Sequence, residues 1–167
     1  MSSNTLHRVD PLYELAILVK AAQRELERVI NEAMRPLGLT GPQADALLVI
    51  DQTGPLSLKE LGELLIAEAG HPSRLVDRLV EAGLVERRAA GEDRRRVELS
   101  LTPQGRRLVT RVEGARAGVF DLGRQLAGDR DLEPALDLLR DLVGQTSFAE
   151  LVERRRELDR MRTELRA

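Results

Sequence analysis

The chain has 167 residues, a formal net charge of −2, 42% hydrophobic and 2% aromatic residues, and no cysteine. That length suits one domain, or one domain with an appendage, and so few aromatics predict a core of Leu, Val and Ala. Without cysteine, disulfides, thiolate metal sites and thiol redox switches are excluded. No apolar run approaches the roughly 18 residues of a membrane span. The opening MSSNTLHRVDPLYEL lacks signal-peptide architecture, so a cytoplasmic protein is expected. Small cores bury a smaller fraction of their surface, which favours dimerisation.

The near-neutral total hides a local imbalance. Residues 1–70 carry 6 basic and 10 acidic side chains, residues 71–107 carry 9 and 6, and residues 108–167 carry 11 and 12. The basic excess therefore sits in one short middle stretch, and local charge decides where a polyanion docks.

Helix signals dominate the chain order. From residue 11 to 34, Leu12, Leu15, Leu18, Val19, Ala22, Leu26, Val29, Ile30 and Ala33 recur mostly every three or four residues, predicting one long amphipathic helix. Pro36 and Gly38 end it. Thr40 and Gln43 form a capping box for a helix through Ala44, Leu47, Leu48 and Ile50, which stops at Thr53-Gly54-Pro55. Ser57 and Glu60 form a second box, opening a short helix with Leu58, Leu61, Leu64 and Leu65 on its buried face. Ala67–Gly70 reads as a turn. Pro72 suits the first turn of the next helix, which runs to about Ala82 and stops at Gly83.

LVERR, residues 84–88, then reads as a strand, AAGED as a turn, and RRVELSL as a second strand. In the last, Val97, Leu99 and Leu101 alternate with Arg96, Glu98 and Ser100, which predicts a β-hairpin. Thr102 and Pro103 start a long helix to about Ala127, broken at Gly128-Asp129. Another helix runs from Asp131 to about Val143. Ser147 and Glu150 suggest a third capping box, opening a charged helix to the end. On that helix Leu151, Leu158 and Leu165 are seven apart, joined by Phe148, Val152 and Met161. The stripe fits a short coiled-coil seam or packing along a partner's first helix, and so a reinforced dimer.

Two short helices and a hairpin make the winged helix-turn-helix plan, whose second helix can enter a DNA major groove. On that helix Leu75, Val76 and Leu79 share the side expected to be buried. Arg74, Asp77, Arg78 and Glu81 share the other, with His71 near the start. Arg74 and Arg78 are candidates for bidentate bonds to guanine, or for ion pairs with Asp77 and Glu81. Asp77 would repel phosphate and is expected to orient an arginine. Ser57 and Ser73 sit near helix N-termini, which favour phosphate, and Lys59 is a further candidate phosphate contact. Arg94, Arg95 and Arg96 at the hairpin tip could reach backbone or a narrow minor groove, or form a solvated loop. Arg87 and Arg88, adjacent on a strand, must point to opposite faces. His71 could be a helix cap, a DNA contact or a pH-sensitive group. Tyr13 could line a ligand pocket or pack at a dimer interface. His7 and His71 are too far apart and too lightly accompanied for a metal site. There is no P-loop, nucleophile elbow, zinc signature or Rossmann glycine pattern, so neither an enzyme nor a cofactor is expected.

LTGPQADALLVI, SLKELGELL, SRLVDRLVEAGLVERR and GEDRRRVELSLTPQG, in this order, resemble the MarR family of bacterial transcriptional regulators. The resemblance spans roughly residues 10–143. It implies a mostly α winged helix-turn-helix fold with a small hairpin wing. Residues 1–146 would be the MarR-like domain: a DNA-binding core over 37–103, and a helical dimerisation region from 1–36 and 104–146. Residues 147–167 would be an extension. The family's Asp-x-Arg at the wing tip falls on Asp93, Arg94 and Arg95, so Arg95 would enter the minor groove and Asp93 would brace the wing through an ion pair. Gly70-His71-Pro72 departs from the family, which usually has polar or β-branched residues there. The resemblance further implies a homodimer reading a near-palindromic operator on double-stranded DNA, most often as a repressor released by a small ligand. Relatives that sense through cysteine oxidation are no guide to a chain without cysteine. A second reading of the residues is a winged-helix module whose basic face meets an acidic protein, indifferent to DNA sequence.

Overall fold

The computed structural model describes residues 10–66, 72–90 and 93–166, the side chains at 90, 93–96, 165 and 166 apart. The elements are α1 (Pro11–Met34), α2 (Gly41–Thr53), β1 (Leu56–Ser57), α3 (Leu58–Leu64), α4 (Pro72–Glu81), β2 (Val85–Ala90), β3 (Asp93–Leu101), α5 (Pro103–Ala127), α6 (Glu133–Gly144) and α7 (Ala149–Arg166). A 3-10 turn at Arg35–Leu37 follows α1. The expected mostly α fold with a small sheet is present. The turn expected over Ala67–Gly70 lies outside the described residues.

α2 is the centre of the molecule. Ala46, Leu47 and Val49 are completely buried, with Leu48 and Ile50 nearly so, and a helix apolar on every side belongs in a core. It packs against α1, α3, α4, α5, α7 and β3. Its start is fixed as expected: Thr40 Oγ1 accepts from the Gln43 N–H, and Gln43 Oε1 accepts from the Thr40 N–H at 2.9 Å. Asn31 ties α1 to this start, donating to the Glu27 carbonyl and accepting from the Gly41 N–H, both at 2.8 Å.

The sheet has the order β1-β3-β2, antiparallel throughout. β1 was not expected from the sequence. Its two residues pair Leu56 with Leu99 and Ser57 with Glu98, a contact across some forty residues that no local period announces. In the hairpin, Val85 opposes Leu101 and Arg87 opposes Leu99. The expected alternation holds, but its burial fades along the wing. Leu99 and Leu101 are buried, while Val97 is 49% exposed because the wing projects beyond the core. Both strands run further into the expected turn than AAGED suggested, and Gly91 and Glu92 lie outside the described residues.

One junction ties four segments together. Gly83, at φ 69°, ends α4 in a Schellman pattern: its N–H bonds the Val80 carbonyl and the Leu84 N–H bonds the Leu79 carbonyl, both at 2.9 Å. The Leu84 carbonyl accepts from the Thr102 N–H at 3.0 Å. The Thr102 hydroxyl donates to the Gly83 carbonyl at 2.7 Å and accepts from the Gly105 N–H at 3.0 Å, capping α5. A Cβ on Gly105 would lie 2.1 Å from the Leu84 oxygen, so only glycine admits this approach.

The third expected capping box is absent. α7 begins at Ala149, which puts Glu150 too early in the helix to reach back to Ser147. Thr146 Oγ1 instead accepts from the Phe148 N–H at 3.2 Å, and the Glu150 carboxylate accepts from Arg154 at 2.6 Å. Nor does α7 stand off as a free seam. Leu151 is buried and Leu158 packs against the core of its own chain, with α7 lying on α2 and α3.

Three other segments keep uncovered apolar faces. On α1, Leu12, Tyr13, Ile17 and Leu18 are exposed, as are Phe120 and Leu126 late in α5, and Leu136, Leu139 and Leu142 on α6. The polar side of α1 is laced instead by Arg28, bonded to Glu25 at 2.6 Å and to Glu32 at 2.7 Å. The bond from Arg28 holds the Glu25 carboxyl below its ordinary pKa.

The junction yields a stability prediction. Gly105→Ala should cost about 2–3 kcal/mol through overpacking, lowering Tm by about 5–10 °C. Gly114 lies in the same helix with open space where a Cβ would go. Gly114→Ala should raise stability by up to about 1 kcal/mol through helix propensity. Thermal unfolding followed by circular dichroism measures both, and equal Tm values for the two variants would contradict the junction.

Candidate nucleic-acid interface

α4 has one buried and one open side. Leu75 is 7% exposed, and Val76 and Leu79 are fully buried, which is the apolar side expected from the sequence. Ser73, Arg74, Asp77, Arg78 and Glu81 are exposed. The chain is anchored at both ends of the helix. Gly62 on α3 allows close approach of Pro72, whose Cγ would be 3.1 Å from a Cβ there, and the Gly83 turn fixes the far end.

Asp77 does orient an arginine, but one from the wing. Arg87 Nη2 on β2 donates to Asp77 Oδ1 at 2.6 Å. Both side chains are about half exposed, so the pair contributes little stability. Its effects are geometric and electrostatic. It ties the wing to α4, and it neutralises the one carboxylate between Arg74 and Arg78. Among the described residues, neither Arg74 nor Arg78 has an ion-pair partner. The helical pairs expected as their alternative do not form: Asp77 turns from Arg74 to β2, and no ion pair joins Arg78 to Glu81.

Arg88 points to the opposite face from Arg87, as adjacent strand residues must, and binds Glu86 at 2.7 Å. Asp93, Arg94, Arg95 and Arg96 lie on β3, and the readings of their side chains fall outside the described residues. The backbone is informative nonetheless. Ala89 pairs with Val97 and Ala90 with Asp93, so the ladder breaks register at the three arginines. A bulge at a sheet's end is a common way of re-aiming side chains. His71 also lies outside the described residues.

On α3, Lys59 is widely exposed, with Glu63 3.8 Å away. Ser57 is committed locally. Its hydroxyl accepts from the Glu60 N–H at 3.2 Å, and its N–H donates to the Glu60 carboxylate at 2.7 Å. Any phosphate at this N-terminus would have to share it with that carboxylate.

Two features escaped the sequence reading. A cleft of about 420 Å³ lies between the end of α4 and the start of α5, with Leu37, Leu84 and Leu108 on its apolar side and Gln43, Gln104, Arg107 and Arg111 on its polar side. The helical spacing of Arg107 and Arg111 was its only sequence signal. The other is the set of α7 arginines. Arg154 binds Glu63 on α3 at 3.2 Å, Arg155 binds Asp45 on α2, and Arg162 lies 3.2 Å from Glu113 on α5. The carboxylates of Glu150 and Glu63 raise the Arg154 pKa above its ordinary value. Among the described residues no group of His, Asp and Glu could hold a metal ion, and no helix is long and apolar enough to cross a membrane.

Residues 37–96 match the model of the MarR family. The chain is 29% identical over 133 residues to the organic hydroperoxide resistance transcriptional regulator of Bacillus subtilis, covering 79% of this chain and 90% of that protein. It is 32% identical over 104 residues to the multiple antibiotic resistance protein MarR of Escherichia coli, covering 62% of this chain and 70% of that one. Among solved structures, a cysteine-to-serine variant of E. coli MarR complexed with operator DNA superposes with a TM-score of 0.69 at 26% identity, over 79% of this chain and 95% of that one. The wild-type apo form of the same protein gives 0.58 at 29% identity, over 81% and 96%. The fold is thus shared with these proteins, and the chain belongs to the MarR family of winged helix-turn-helix transcriptional regulators.

Proposed function

We propose that the protein is a homodimeric, sequence-specific DNA-binding regulator of the bacterial cytoplasm, a repressor released by a small-molecule ligand. The observation that carries this reading is the open side of α4, where Arg74 and Arg78 stand exposed and, among the described residues, without an ion-pair partner, while Asp77 is held aside by Arg87. A free guanidinium on a helix face can donate two bonds to guanine O6 and N7 in a major groove, each such pair discriminating by about 1–3 kcal/mol. The operator-DNA complex of the E. coli MarR variant supports the same use of the fold.

Around that centre Lys59 would meet a phosphate, with Ser57 and Ser73 at the flanking helix starts and His71 at the entry to α4. Arg94, Arg95 and Arg96 would reach backbone or a narrow minor groove, braced by Asp93. The acidic remainder of the chain would keep such a protein off nonspecific nucleic acid. Two copies would join through the exposed apolar faces of α1, α5 and α6, since patches of this kind mark association surfaces. Their α4 helices would then read half-sites about 34–36 Å apart. A ligand with an apolar body and an anionic group would suit the cleft of Arg107 and Arg111.

With a duplex enriched from a random pool, Arg74→Ala should cost about 1–3 kcal/mol of preference over random DNA. Arg95→Ala should weaken binding to all sequences and reduce the salt slope by about 1. Fluorescence anisotropy across a salt series separates the two effects. An unchanged specificity ratio for Arg74→Ala would contradict base reading by α4.

The dimer carries its own prediction. Leu139→Glu puts a charge on the exposed face of α6 and should weaken self-association at least about tenfold, since unpaired charge in an interface costs several kcal/mol. Sedimentation velocity reads this directly. A variant that remains as dimeric as the wild type would move the interface elsewhere.

A further inference from the structure

α7 lies beyond the stretch that carries the family resemblance, and its contacts are specific. Three of its six arginines engage three different helices: Arg154 with Glu63 on α3, Arg155 with Asp45 on α2, and Arg162 with Glu113 on α5. Leu151, ahead of the first contact, is buried, and Leu158, between the second and the third, packs on the core. The Arg155 side chain is 19% exposed and its Nη1 is buried, so this cation is largely removed from water. Pairs of that kind are costly to break because the remaining charge stays desolvated.

The helices gripped are not equivalent in function. α3 is the first helix of the helix-turn-helix and sets the approach of α4 through the Gly62–Pro72 contact. α5 leads away to the uncovered apolar face. We propose that α7 is an intramolecular brace that fixes the helix-turn-helix against α5 and thereby sets operator affinity. The inference rests on the DNA-binding reading given above. It goes beyond it by assigning Arg155 as a positioning residue that touches no DNA. A docked α7 would hold α3, and through it α4, in one orientation relative to α5. Apparent affinity falls in proportion to the fraction of molecules that leave the competent state.

A charge swap tests this with two readouts. The variants are Arg155→Asp, Asp45→Arg, the double variant carrying both in one chain, and Arg155→Gln, which keeps the stem but not the charge. Hydrogen exchange on α3 reports docking without DNA, and anisotropy with the selected duplex reports affinity. Arg155→Asp and Asp45→Arg should each lose α3 protection and weaken binding at least about tenfold, with Arg155→Gln weaker by about threefold. The double variant should recover both, to within about threefold of wild type. Co-expressed single variants, forming mixed dimers, should stay weak, because each chain then carries two like charges at its own contact.

Unchanged α3 protection in folded Arg155→Asp would overturn the brace whatever the DNA result. Lost protection with unchanged affinity would overturn its control of binding. Recovery in the mixed dimer as well as in the double variant would place α7 on the second copy and overturn the intramolecular assignment. If the wild type itself selects no duplex while α3 protection follows the charge swap, the regulator reading fails and the brace stands as a structural coupling only.

Discussion

The Leu84 carbonyl is the point on which the functional half of the molecule depends. α4 ends there, β2 begins there, β3 returns to it through Thr102, and α5 starts against it at Gly105. A recognition helix and a wing can read the same duplex only if their separation is fixed. Here the separation is set by backbone hydrogen bonds and a glycine contact, which admit little adjustment. The ion pair between Asp77 and Arg87 closes the same triangle from its open side. It adds little to stability at its exposure. In the proposed reading it keeps a carboxylate out of the space where phosphates would lie.

That arrangement answers why an acidic chain concentrates arginine in its middle. Arginine fork geometry suits guanine and phosphate alike, but only when the guanidinium is not already satisfied by a neighbour. The chain meets this by partnering selectively. Arg87, Arg88, Arg154 and Arg155 have carboxylate partners, and Arg74 and Arg78 have none among the described residues. Charge content alone would not distinguish these groups.

Much of the fold was legible because its signals are local. The Thr40 and Ser57 boxes, the Gly83 stop and the Thr102 cap are decided within a few residues, and each forms where the spacing placed it. The misses share a different cause. β1 exists only through pairing with Leu99 and Glu98. The Ser147 box lost to Thr146, one residue earlier, so a correct motif gave the wrong cap. The stripe of α7 was visible as a stripe, but its partner was not. Arg155 and Asp45 are 110 positions apart, and nothing local to either points to the other. The open face of α4 was readable from the helical wheel. What frees its arginines came from a strand residue ten positions on.

The central claim is that α4 and the wing, duplicated in a dimer, read DNA sequence. Selection of bound duplexes from a random pool by the full-length protein tests it most directly. The account predicts enrichment of a near-palindrome whose half-sites lie about one helical turn apart, roughly 10 base pairs centre to centre. Retention of DNA with no enriched sequence, abolished by salt, would contradict it. The basic face would then be a surface for an acidic partner rather than a reader of bases.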